Sequence, residues 1–86
     1  MINLQKSAID KQFLIECLAK DLIEILMEER GYSMEKAMDV LYKSHTFEKI
    51  ENEKTGLYYQ SPVYVMSFLN DELNNDFNAR NAILNL

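Results

Sequence analysis

Two glycines and one proline in 86 residues leave this chain few places to break a helix. Between them run Leu, Ile, Glu, Lys, Met and Ala, residues that lose little on entering a helix. One short piece, Leu57-Tyr58-Tyr59, reads as extended. No second strand-like run exists to pair with it, and an isolated strand is unstable, so it is taken as an ordered loop. The expected fold class is all-α: a small bundle of one long helix and two or three shorter helices, with an ordered tyrosine-rich connector. A chain this short holds one core. Residues 1–73 are therefore read as a single helical domain and 74–86 as an Asn-rich tail. Asn74-Asn75 offers a stop for the preceding helix, and Phe77, Ile83 and Leu84 could anchor a short fourth one.

The spacing predicts a first helix from about Leu4 to Arg30, about 40 Å at 1.5 Å per residue. Ile15, Leu18, Ala19, Leu22, Ile25 and Leu26 share one face of it, and Glu16, Lys20, Glu24 and Glu28 fall opposite. Gly31 supplies the left-handed residue that ends it. Ser33 opens a second helix as N-cap, with Met34, Ala37, Met38 and Leu41 as its apolar stripe. That helix should stop near Lys43 or Ser44, with Thr46 capping one further turn, Phe47 to Ile50. Thr55-Gly56 signals a turn. Ser61-Pro62 announces the third main helix as N-cap and first helical residue. Its stripe is Val65, Met66, Leu69 and Leu73, flanked by Tyr64 and Phe68.

Charge and cysteine usage narrow the function classes. Fourteen acidic and nine basic residues give a formal charge of -5, and no block is basic. A phosphate-tracking surface is not expected. One cysteine allows no internal disulfide and no cysteine-rich zinc site. No run of 18 apolar residues spans a membrane, and no signal-peptide pattern opens the chain, so a cytoplasmic setting is expected. A helix–turn–helix across Gly31 and Ser33 would present Met34, Glu35 and Asp39 to DNA, and carboxylates there repel phosphate despite Lys36 and Lys43.

Catalysis needs convergent groups, and few are offered. His45, the only histidine, reads as a boundary residue past a helix end, where its imidazole favours the helix dipole. Cys17 has no helix N-terminus or basic cluster beside it to form a thiolate. The pairs Glu24/Glu28, Glu35/Asp39 and Asp71/Glu72 read as solvated helix faces. No catalytic residue, metal site or cofactor is predicted, and the chain is read as a non-enzyme.

Binding suits the composition better. Leu57, Tyr58, Tyr59 and Gln60, with Tyr64 at the start of the next helix, form the predicted partner surface. Tyrosines give rigid amphipathic contact area, and this loop is fixed at both ends. Neighbours in an extended segment alternate in direction, so one of Tyr58 and Tyr59 should be exposed and the other buried. Ile9, Phe13 and Cys17 lie off the main stripe of the first helix, as does Met27. An apolar second face needs cover, which predicts a homodimer.

Two local resemblances remain. Asp39 through Lys49 (DVLYKSHTFEK) and Thr55 through Val65 (TGLYYQSPVYV) resemble a family of short, uncharacterised bacterial proteins. These share the pattern LYxSxT(Y/F)xK … TGLYYQSPxYVYx(F/L)LxxEL, which would span Val40 to Leu73 and departs at Met66, where an aromatic is expected. The resemblance implies a protein partner encoded nearby, from a toxin–antitoxin-like gene pair, and carries no activity. Gly31 through Leu41 looks like the helix-joining turn of ubiquitin-associated three-helix domains. Helix termination and capping account for it, and the connector before Ser61 is too long for that family. The expected function is a non-catalytic protein–protein interaction module, of the kind that serves as the small partner in a bacterial two-gene unit, with a DNA-binding regulator or antitoxin as the alternative.

Overall fold

The computed structural model describes the backbone of residues 10–84 and the side chains of residues 10–75. The chain is all-α, with no strand among the described residues. Among the described residues four α-helices follow in order: α1 Lys11–Arg30, α2 Met34–Tyr42, α3 His45–Glu51 and α4 Pro62–Leu84. Two short 3₁₀ turns, Glu53–Thr55 and Leu57–Tyr59, fill the connector between α3 and α4.

Helix α1 begins later than its apolar periodicity suggests. Asp10 is extended (φ -94, ψ 178), and its carboxylate accepts from the Phe13 amide at 2.9 Å. An acid that caps a helix cannot also lie within it, so this helix starts at Lys11; the expected stretch from Leu4 to Ile9 lies outside the described residues. Its end is as expected. Gly31 sits at φ 69, and its amide donates to the Met27 carbonyl, closing the last turn. Nothing lies within 4 Å of a methyl group built on Gly31, so only backbone conformation requires glycine there.

The α2–α3 junction is tied by one hydroxyl. Ser33 caps α2, accepting from the Lys36 amide. Ser44 is buried; its Oγ donates to the Leu41 carbonyl at 2.6 Å and accepts from the Phe47 amide at 3.0 Å. Ser44, and not Thr46, is thus the cap of α3. The serine closes α2 and opens α3 with the same atom, which leaves Thr46 in the first turn facing α4. His45 is correspondingly the first residue of α3, at the positive end of a helix dipole. The expected dipole contact at a C-terminus does not occur.

The core is built from Ile15, Leu18, Ala19, Leu22 and Leu26 of α1, Ala37 and Leu41 of α2, and Ile50 of α3. Leu57 joins from the connector, and Val65, Met66 and Leu69 from α4. Ile25 and Leu73 are half-buried at its edge. Met27, expected on the second face of α1, packs against this core as well. The α2 stripe is narrower than predicted. Ala37 and Leu41 are buried, with Val40 half-buried, whereas Met34 and Met38 stay 58% and 40% exposed. Nine residues lying mainly against α1 bury only a narrow arc.

Helix α4 starts where Ser61-Pro62 places it, with Ser61 Oγ accepting from the Tyr64 amide at 3.2 Å. It does not stop at Asn74-Asn75. Its backbone runs unbroken to Leu84, so the tail continues α4 and forms no separate fourth helix. Asparagine lowers helix propensity by only a fraction of a kcal/mol, about 0.7 at most, which does not end a helix that has no cap to stop it.

Candidate functional site

The connector is a braced turn, not an extended strand. Asn52 Oδ1 accepts from the Lys54 amide, and the Thr55 hydroxyl reaches the Lys49 and Asn52 carbonyls while accepting from the Leu57 amide. Gly56 then turns the chain at φ 68. A methyl group on Gly56 would meet the Tyr59 hydroxyl at 2.6 Å, because the Tyr59 ring folds back over this glycine. Gly56 is therefore required twice, by its backbone and by its neighbour.

This geometry divides the predicted partner surface. Leu57 points into the core at 7% exposure and offers no surface of its own, which corrects its place among the partner-binding residues. Tyr58 is half-buried against the core, and Tyr59 is 63% exposed. The two rings meet edge to face at 5.1 Å. One ring is open and the other largely covered, but a 3₁₀ turn sets the two directions, not strand alternation. Gln60 is exposed. Tyr64 is half-exposed and leans edge to face on Phe68 at 5.2 Å, along α4.

On α1, Phe13 is half-exposed and Cys17 is a free, exposed thiol. Ile9, the third predicted self-association residue, lies outside the described residues. Tertiary structure brings the two predicted surfaces together. Leu14, Cys17 and Asp21 of α1 face Tyr59, Gln60 and Pro62 across a shallow depression of about 150 Å³. A second, separate depression of about 170 Å³ lies farther along α1, between Ile25 and Glu29 of α1 and Val63, Met66 and Asn70 of α4. At its end Arg30 donates to Asn70 Oδ1 at 3.0 Å, so α1 and α4 run side by side in the same direction.

Leu14, Asp21 and Val63 are not singled out by the sequence reading, and Ile25 and Pro62 enter it only as a stripe residue of α1 and the first residue of α4. A sequence signal did exist: Leu14 and Asp21 repeat at helical spacing with Ile25 at the edge of the main stripe, and Val63 is apolar but off the Val65–Leu69 face. Only the pairing of α1 with α4 makes them one surface.

The remaining polar groups serve the fold. Glu72 of α4 caps α3: Oε2 accepts from the His45 amide at 2.8 Å, and Oε1 accepts from the Thr46 amide at 2.9 Å and the Thr46 hydroxyl at 2.8 Å. Burial works to raise the Glu72 pKa, but these three hydrogen bonds, with the nearby His45, outweigh it and hold the carboxyl below its ordinary value. His45 Nδ1 lies 3.3 Å from Glu48 Oε1, both side chains being open to solvent. Among the described residues, no three His, Cys, Asp or Glu side chains gather as metal ligands. No helix among them is long and apolar enough to cross a membrane. Family models, curated proteins and solved structures contain no match to this chain.

Proposed function

We propose that this chain is a non-catalytic protein–protein interaction module, the small partner in a bacterial two-gene unit, working in the cytoplasm. The observation that carries the reading is Tyr59. A large ring stands 63% exposed on a turn held by Gly56 and the Ser61 cap, over a depression lined by Cys17 and Pro62. A pre-ordered turn loses little entropy on binding, and tyrosine has few rotamers to lose. Half-exposed Phe13 and exposed Cys17, at the N-terminal end of α1, support pairing with a second copy. A nucleic-acid partner is disfavoured because Glu35 and Asp39 lie exposed on α2, where a recognition helix would need positive charge.

Capture from a native lysate, read by mass spectrometry, compares the unmodified chain with Tyr59→Ser. The expected result is a protein retained by the first and lost by the second, with equal thermal midpoints. Identical retained proteins would refute the reading. Light scattering at high micromolar concentration tests self-association: a dimer that Phe13→Asp converts to a folded monomer supports it, and a monomeric unmodified chain removes it.

A further inference from the structure

The two depressions follow one another along α1, the first walled by Tyr58, Tyr59, Gln60 and Pro62 and the second by α4. Leu14, Asp21, Ile25 and Glu29 follow each other along α1 at helical spacing, and Pro62, Val63, Met66 and Asn70 do so along α4. From Leu14 to Glu29 the groove runs about 22 Å, fifteen residues at 1.5 Å each. Its edge includes the apolar Val63, 77% exposed at the second position of α4. A valine so placed gains nothing for the fold, since it makes little contact with the core and lies in a first turn that favours acids.

The rim carries one sign of charge. Asp21 and Glu29 line the groove, and Glu24 and Glu28 stand exposed on α1 beside them. Among the described residues no lysine or arginine lines either depression, and Arg30 closes the end bound to Asn70. Among the described residues, none of these four carboxylates has a cationic partner within 4.0 Å.

We infer that the trough along α1, walled first by the connector and then by α4, is a docking site for an amphipathic helix of a partner protein, about four turns long, apolar on one face and basic on its flanks. The inference rests on the interaction-module reading and gives that partner its chemistry. The ridge of α1 on one side, and the connector and α4 on the other, leave a trough that a helix fills, and there is no strand edge among the described residues to extend. A second copy of this face is a poor occupant, because it would set the same four carboxylates against each other.

Three synthetic helices of about sixteen residues test it by fluorescence anisotropy. One has a leucine face with lysine flanks, one the same face with glutamate flanks, and one lysine flanks with serines replacing the leucines. The first is expected to bind at least tenfold more tightly than either of the others. Val63→Asp should weaken it at least tenfold at an unchanged thermal midpoint, because the side chain is exposed. Asp21→Lys with Glu28→Lys should transfer the preference to the glutamate-flanked helix. Equal binding of the serine-faced helix would reduce the effect to plain charge attraction and overturn the inference. So would equal binding of the glutamate-flanked helix, or indifference to Val63→Asp. A concentration-dependent dimer that Val63→Asp dissolves would place a second copy in the groove, with the same consequence. No lysate enters this assay, so its failure leaves Tyr59-dependent capture standing, and failure of the capture leaves the groove measurement interpretable.

Discussion

Removing the Glu72 carboxylate should loosen α3 from α4. Helix α3 has seven residues, too few to persist in water alone. Its first amides are satisfied from two sides: His45 and Thr46 donate to Glu72, and Phe47 donates to Ser44 Oγ. In Glu72→Ala the His45 amide can turn to water. Thr46 cannot do so easily, being 2% exposed, and its amide and hydroxyl would both lose their acceptor. Hydrogen bonds to a charged group contribute about 1.5–3 kcal/mol each, and three on one carboxylate are not additive, so the expected loss is about 2–3 kcal/mol in all. For a domain of this size that is a fall in Tm of roughly 8–24 °C. Glu72→Gln keeps one oxygen for the Thr46 donors but turns an amide NH₂ toward the His45 N–H, and should cost about 1 kcal/mol. The folded-state pKa of Glu72 lies below its ordinary 4.5. Its charge-dependent contribution is therefore complete above that value and disappears as pH falls through the lower folded value. Urea unfolding followed by circular dichroism should show the gap between the unmodified protein and Glu72→Gln closing as the buffer is taken from about pH 6 toward pH 3. An unchanged midpoint in Glu72→Ala, or a gap constant down to pH 3, would refute the capping argument.

The two glycines should respond differently to alanine. Gly31→Ala meets open space and should lose about 1 kcal/mol for the left-handed backbone alone, whereas Gly56→Ala should lose more and displace the Tyr59 ring, seen as a change in near-ultraviolet circular dichroism. Leu69→Ala, at a fully buried position, should cost about 2–5 kcal/mol; an unchanged urea midpoint would mean that α4 packs by another face. Tyr58→Ala should cost about 2 kcal/mol, part of a fully buried aromatic truncation, while Tyr59→Ala should leave the thermal midpoint within about 2 °C. Equal losses at the two tyrosines would contradict their different exposures.

Local chemistry made much of the fold legible. A capping serine or a left-handed glycine acts within four residues, so Gly31, Ser33, Thr55-Gly56 and Ser61-Pro62 declare their turns without reference to the rest of the chain. The burial of Ile15, Leu18, Leu22 and Leu26 follows from periodicity, because a helix in one small core has one inward face. Where two local signals competed, sequence could not choose. Both Ser44 and Thr46 are good caps by residue type; Ser44 takes the role by bonding the Leu41 carbonyl and the Phe47 amide, and Thr46 gives its amide and hydroxyl to Glu72, 26 residues away. Asp71 and Glu72 look alike in sequence, yet one is solvated and the other holds two helices together.

The candidate site follows the same division. Tyr59 stood out because tyrosines in a fixed loop suit binding, and that needs only composition and turn chemistry. The groove could not be read in this way. Cys17 and Tyr59 are 42 positions apart, and Ile25 and Val63 are 38 apart. Their adjacency depends on α1 and α4 lying side by side in the same direction, and that is decided by the joint packing of Leu22, Leu26, Val65 and Leu69 into one core. Helix starts and stops depend on a residue's own neighbours, so the sequence by itself determines them. A surface shared by two helices depends on the sum of many weak contacts between distant residues, and only the tertiary structure could decide it.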